Sequence, residues 1–214
     1  HLYNQLGSKL IVDNAQAYFA EERLGSMAFY SPRKFVGIPD GGFAWTPKER
    51  DMELPQDFST DRSSHLLRRI DSGAVSGYNE FKENSRRLSE EPMKKMSDLT
   101  YRLLGSIDYD EVIYRRRSNF EYLHQALGST NLLKIPDIRD SACPMVYPYR
   151  TKDTSLRSRL ISNNIFVATY WPNVLEWCDP ETTEYHLAKE IIPLPIDQRY
   201  KEEDMYRILN ILLK

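Results

Sequence analysis

Three short apolar runs lie in the first 45 residues, and each meets a polar residue or a chain breaker at one end. Leu10-Ile11-Val12 runs straight into Asp13, Met27-Ala28-Phe29-Tyr30 into Ser31-Pro32, and Gly41-Gly42 leads into Phe43-Ala44-Trp45. Runs this short and this apolar read as strands, the first of them as a buried parallel strand, with the stretch before Leu10 as the end of a helix. In sheets of that class the groups just past the C-terminal strand ends carry the chemistry. Asp13 stands at one such end. The segment Ser31-Pro32-Arg33-Lys34-Phe35-Val36-Gly37-Ile38-Pro39-Asp40, rich in breakers, stands at the next.

The rest of the chain has a different rhythm. Residues 46–64 are polar and irregular, His65 to Ile70 reads as a short helix, and Gly73 to Asn79 has turn composition. Asp108 with Glu111 resembles a capping box. Ile113, Phe120, Leu123 and Leu127 then form a helical stripe that Gly128 stops. Met145-Val146-Tyr147 and Ile165 to Tyr170 read as strands, with a helix from Asp153 to Asn163 between them that places Leu156, Leu160 and Ile161 on one face. Met205, Ile208, Leu209 and Leu212 fall at i, i+3, i+4 and i+7, an amphipathic helix. The front is therefore α/β, the back a small α+β domain, and the boundary is expected near residue 92.

Composition removes several functions. A formal net charge of -2 over 214 residues gives no electrostatic case for nucleic acid or an anionic membrane. The longest apolar stretches fall far short of the roughly 20 residues that span a bilayer. Cys143 and Cys178 form neither a disulfide scaffold nor a metal motif, and are expected to be reduced structural thiols of a cytoplasmic protein. The chain begins at His1 with neither Met nor a signal peptide, so something in front of it is expected to have been cut away or never present. Arg115-Arg116-Arg117 reads as a solvated helix face, the fourteen tyrosines as packing, and His65, His124 and His186 as structural or exposed.

Three clusters remain: Asp13-Asn14-Ala15-Gln16, Ser31-Pro32-Arg33-Lys34 and Asp40-Gly41-Gly42. Pyridoxal-phosphate (PLP) chemistry needs such parts. It needs an amine to join the cofactor aldehyde, a carboxylate to keep the pyridine nitrogen protonated, and a small group or backbone amide for the phosphate.

In order along the chain, these clusters resemble those of DegT/DnrJ/EryC1/StrS aminotransferases, enzymes of PLP fold type I. That family has a strand ending in Asp-x-Ala-Gln or Asp-x-Ala-His, here Ile11-Val12-Asp13-Asn14-Ala15-Gln16. It has a lysine followed by Gly-Glu-Gly-Gly, here Lys34 with Asp40-Gly41-Gly42, the two glycines at +7 and +8. It has a Met-Ser-Glu-Leu helix start, here Met96-Ser97-Asp98-Leu99. It has a Leu-Pro motif before a last helix, here Leu194-Pro195. The resemblance implies the C-terminal part of a PLP-transferase large domain, a mixed sheet with helices, over 1–92, and a small α+β C-terminal domain over 93–214.

By the same resemblance Lys34 is the Schiff-base lysine and proton shuttle, Asp13 the partner of the pyridinium nitrogen, and Gln16 the neighbour of the ring hydroxyl. Ser31 becomes the phosphate contact, because the family's serine position, five before the lysine, holds Phe29. The implied enzyme is a homodimeric transaminase of nucleotide-sugar biosynthesis. It passes an amino group from a glutamate-like donor to a nucleotide-linked keto sugar, and Lys34 argues against the related dehydratases, which have His there. The loop around Glu21 to Gly25 is expected to be trimmed. The family's N-terminal phosphate loop and ring-stacking aromatic have no counterpart before Leu10. The alternative is a truncated, non-catalytic remnant that serves as a structural or interaction protein.

Overall fold

The structure is a computed structural model that describes residues 2–21, 27–48, 52–136, 138 and 143–213. Of the loop around Glu21 to Gly25, expected to be trimmed, everything past Glu21 lies outside the described residues. The chain divides into two compact units, His1–Asp108 and Tyr109–Lys214.

In the first unit a short helix, α1 (Leu2–Leu6), and a 3-10 turn lead into β1 (Ile11–Asn14), followed by β2 (Met27–Tyr30) and β3 (Phe43–Trp45). β1 pairs in parallel with β2, Asp13 opposite Phe29, and β2 pairs antiparallel with β3, Phe29 opposite Ala44. The register puts Ile11, Asp13, Met27, Phe29 and Ala44 on one face, and Val12, Asn14, Ala28, Tyr30, Phe43 and Trp45 on the other. Asn14, Ala28 and Tyr30 are buried, whereas Ile11 is 59% and Phe29 41% exposed. The buried parallel strand expected at Leu10–Val12 is therefore parallel but covered on one side only. α2 (Ser64–Ser72), α3 (Tyr78–Glu90) and α4 (Asp98–Gly105) complete the unit. Ser97 caps α4 by accepting from the Thr100 amide at 3.1 Å, as the Met-Ser start implied. The expected boundary near residue 92 stands before α4, whereas α4 belongs to the first compact unit.

The second unit is built on α5 (Tyr109–Leu127) and an antiparallel pair, β4 (Val146–Arg150) with β5 (Ile191–Pro195), joined through α6 (Leu156–Ser162), α7 (Val174–Trp177) and α8 (Thr183–Glu190); α9 (Glu202–Leu212) follows. Leu123, Leu127, Tyr147, Leu160, Leu194, Ile196 and Met205 form the centre of its core. β5 carries prolines at alternate positions, with Pro148 opposite Pro193. In a two-stranded ladder every second N–H points away from the partner, so prolines there remove no ladder bond. The Arg150 amide, in the same phase as Pro148, indeed points outward and donates to Asn131 Oδ1 at 2.9 Å. Gly128 follows the last residue of α5, and a Cβ there would meet the His124 carbonyl at 2.7 Å, so the turn leaving the helix favours glycine.

Four sequence expectations fail in this unit. Ile165 to Tyr170 is extended but is no strand. Ile165 and Val167 reach the core, and Arg157 takes carbonyls a neighbouring strand would use, donating to Ala168 O at 2.5 Å and Ile191 O at 3.0 Å. Arg116 is not solvated. It is 2% exposed and donates to Gln198 Oε1 at 3.0 Å and Met145 O at 3.1 Å. The buried stripe of α5 is consequently Val112, Arg116, Asn119, Phe120, Leu123 and Leu127, and Ile113 falls beside it. Ile161 is likewise exposed, leaving Leu156 and Leu160 as the buried face of α6. Both cysteines are free thiols, and burial pushes Cys143 up to about 11, which keeps it protonated near neutrality. No described helix is long and apolar enough to cross a membrane.

Candidate active site

Asp13 is the penultimate residue of β1, and its exposed carboxylate accepts the Ala15 amide at 2.8 Å through Oδ1. That bond starts the turn that carries Gln16 and fixes the carboxylate at the strand end. Oδ2 has no protein partner among the described residues. Ser31 follows the last residue of β2, and Pro32–Lys34 forms a 3-10 turn in which the Lys34 amide donates to Ser31 O at 3.2 Å. Because β1 and β2 are parallel neighbours, Asp13 and the Ser31–Lys34 turn leave the sheet at the same end. The side chains of Gln16, Ser31 and Lys34 make no hydrogen bond to another described residue.

What joins the two strand ends is aromatic. Phe35, next to Lys34, lies 6.0 Å from the Tyr18 ring and 5.7 Å from the Phe19 ring, and Tyr18 stacks on Phe43 at 6.4 Å. These centroid distances are within the range of favourable ring pairs. The turn after β1 and the loop after β2 thus share one small core. Tyr18 and Phe19 lie two and three residues past Gln16. The sequence reading counted Tyr18 among the packing tyrosines and did not single out Phe19, and the aromatic run beside the Asp-x-Ala-Gln motif was the available signal.

The loop itself is half sunk. Pro32, Phe35, Val36, Ile38, Pro39 and Asp40 are buried, whereas Lys34 and Gly37 face solvent. Asp40 is 3% exposed and accepts from Arg62 at 2.7 Å and from the Thr100 hydroxyl at 2.5 Å. Arg62 also donates to Asp57 at 2.5 Å and to the Phe58 carbonyl at 3.0 Å. Asn84 donates to the Pro39 carbonyl at 2.7 Å, and Arg33 to Ser85 at 3.2 Å. Burial works against the Arg62 charge, but the bond to Asp57 and the charges of Asp40, Asp57 and Glu91 outweigh it and raise its pKa above the ordinary value. Arg62 was not singled out from sequence, since nothing in Thr60-Asp61-Arg62 distinguishes it from a surface arginine. A cavity of about 300 Å³ adjoins the network through Arg62 and Asn84; Asp13, Gln16, Ser31 and Lys34 do not line it.

No protein-family model matches the sequence, and no curated protein matches it. Solved structures do match in fold. DesV of S. venezuelae, solved in complex with a ketimine intermediate, matches with a TM-score of 0.56 at 16% identity over 99% of this chain and 58% of its own. Spr1654 of Streptococcus pneumoniae, assigned as a sugar aminotransferase and solved in its PMP form, matches with a TM-score of 0.57 at 14% identity over 94% of this chain and 55% of its own. A DegT DnrJ EryC1 StrS aminotransferase from Brucella abortus matches with a TM-score of 0.52 at 13% identity over 95% and 56%. The chain spans less than three fifths of the length of these proteins. Across almost all of its own length, it carries the fold of these aminotransferases.

Proposed function

We propose that Asp13 and Lys34 mark the two ends of a PLP site in a transaminase that moves an amino group from a glutamate-like amino acid to a nucleotide-linked keto sugar. The observation that carries this reading is the meeting of the two strand-end segments: parallel β1 and β2 release them at one end, and Phe35 holds them together against Tyr18 and Phe19. The donor set fits the cofactor. It comprises a carboxylate with one oxygen uncommitted, a primary amine, and a hydroxyl and an amide without protein partners among the described residues. When bound, PLP supplies the electron sink for breaking the bond to the Cα hydrogen. Asp13 stabilises positive charge on the ring nitrogen, Gln16 neighbours the ring hydroxyl, and Ser31, at the start of the Lys34 turn, takes the phosphate. The Lys34 Nζ would hold the cofactor aldehyde and, when freed from it, would serve as the base that takes the proton from the amino donor's Cα and delivers it to the cofactor carbon on the other side of the shared nitrogen. Residues 1–92 act as the cofactor-binding part and 93–214 as the small C-terminal domain, in a cytoplasmic homodimer.

A second reading is a non-catalytic chain with the same fold. The one-sided cover of the sheet favours it, because Asp13 shares its face with exposed Ile11 and Phe29. Absorbance separates the two. The full chain mixed with PLP should gain a visible band that borohydride bleaches, with the trapped group on Lys34, and Lys34→Ala should lose it. A group trapped on any other lysine rejects the assignment, and no band at all favours the non-catalytic reading.

A further inference from the structure

We propose that Asp40, clamped between Arg62 and Thr100, is a positioning residue that fixes where Lys34 is presented, and that the Thr100 hydroxyl is the part of the clamp that sets the loop's register. The proposal rests on the reading of Lys34 as the reacting amine, and extends it to residues that touch neither cofactor nor substrate.

The argument starts from an imbalance. The loop from Ser31 to Gly42 bears one exposed lysine on a backbone that is otherwise mostly buried. Only five residues separate Lys34 from Asp40, so a shift at the aspartate is carried through a short, packed segment. Lys34, Phe35, Val36 and Ile38 all donate backbone hydrogen bonds within the loop, to Ser31, Pro32, Pro32 and Val36. Those local turns fix the loop's shape but not its place on the unit.

Its place is set at one end by the Phe35 ring contacts and the Arg33–Ser85 bond, and at the other by Asp40. Each carboxylate oxygen has a different partner from a different element: Oδ2 the Arg62 guanidinium and Oδ1 the Thr100 hydroxyl of α4. Arg62 and Thr100 are themselves buried, Thr100 at 0% exposure. Two bonds from two directions define the carboxylate's position and orientation, whereas one bond would leave rotation about it. The next residue reinforces the close approach. Gly41 has φ +93°, and a Cβ there would meet Met96 Cε and Thr100 Cγ2 at 3.0 Å. The chain after Asp40 is thus pressed onto α4, and Asn84 grips the Pro39 carbonyl just before it. A reacting amine displaced by about 1 Å loses rate steeply, which gives such a clamp its consequence.

The test uses Thr100→Val, which keeps the shape and deletes the hydroxyl, beside Thr100→Ser, which keeps the hydroxyl. Amide hydrogen exchange is read on the full chain, with PLP trapping by borohydride as a second readout. In Thr100→Val the amides of residues 34, 35, 36 and 38 should exchange at least tenfold faster, with β4 and β5 unchanged, and the adduct on Lys34 should fall about fivefold. Thr100→Ser should return both to within twofold of the parent. Unchanged exchange at those amides in Thr100→Val overturns the clamp. So does equal loosening in both variants, which would assign the effect to packing rather than to the hydroxyl. If Thr100→Val does not fold, Asp40→Asn weakens the same bonds and is read in the same way. Trapping of the parent chain on another lysine rejects Lys34 as the reacting amine, while the exchange results still decide the clamp.

Discussion

The two units are held together by different physics. The core of the second is contiguous and apolar: Leu123, Leu127, Tyr147, Leu160, Leu194 and Ile196 pack around one two-stranded sheet. The first has a small sheet covered on one side, and its central loop is fastened by a buried charge network through Asp40, Arg62 and Asp57. An apolar core draws its stability from burial and dispersion summed over many contacts, none of which fixes one group's orientation. A clamp of paired charges is directional, and fails when one member is removed. The candidate site thus rests on the directional unit, where the position of one amine matters most.

Removing a partner from the clamp should be the most damaging change. Arg62→Met leaves the buried Asp40 carboxylate without its cation and takes from the part-buried Asp57 the nearer of its two, Lys94 remaining at 3.7 Å, and should cost roughly 3–5 kcal/mol. Urea unfolding that shows a loss under 1 kcal/mol would break the comparison. In the apolar unit Leu194→Ala should cost roughly 2–5 kcal/mol through lost contacts and a cavity. That change should spare exchange protection at residues 34–38, and loosening there would mean that the two units are not energetically distinct.

These two regions also differed in how far the sequence revealed them. Helical periodicity found α9 through Met205, Ile208 and Leu209, and the apolar run Met145-Val146-Tyr147 found the start of β4. It failed where polar side chains serve as core. Arg116 and Asn119 interrupt the apolar stripe of α5 yet lie on its buried face, and α3, with the sequence Tyr78-Asn79-Glu80-Phe81-Lys82-Glu83-Asn84, has no apolar stripe to detect. It failed again at Ile165–Tyr170, where Ile165, Phe166, Val167 and Ala168 form an unbroken apolar run but the Arg157 guanidinium, rather than a strand, takes the Val167 and Ala168 carbonyls. At the candidate site the residue types at the strand ends were legible from motif and spacing. The clamp was not, because the salt bridge that binds Asp40 to Arg62 spans 22 positions and no local pattern marks it.

Acid should separate the units more gently. Burial opposes ionisation of Asp57, and the bonds from Arg62 and the Phe58 amide outweigh it, so the carboxyl lies below its usual range. A depressed carboxyl contributes stability above its unfolded value of 3.8 and loses it as pH falls through the lower folded value. Asp197 in the second unit behaves alike: burial is outweighed by the bond and charge of Arg199. Below about pH 4, exchange should therefore rise across the first unit's loop, and in the second near residues 197–201 and around Glu190, whose carboxyl the bond from Arg150 also holds below its usual range. Acid-induced exchange at Tyr147 and Leu194, in the middle of β4 and β5, before the loop opens would contradict this. Smallest of all should be Ile11→Ser on the uncovered face, within about 0.5 kcal/mol in the isolated chain. A larger loss in urea would show that this face is covered in solution.

The central claim is that one cofactor is gripped from two strand ends, by Asp13 at its nitrogen and Lys34 at its aldehyde. The most direct measurement is nitrogen NMR of ring-labelled PLP bound to the full chain and to Asp13→Asn. The account predicts a protonated ring nitrogen in the parent and a shift toward the unprotonated form in Asp13→Asn, with the cofactor still attached to Lys34. An identical ring-nitrogen signal in both, with attachment at Lys34 unchanged, would place Asp13 outside the site and contradict the account.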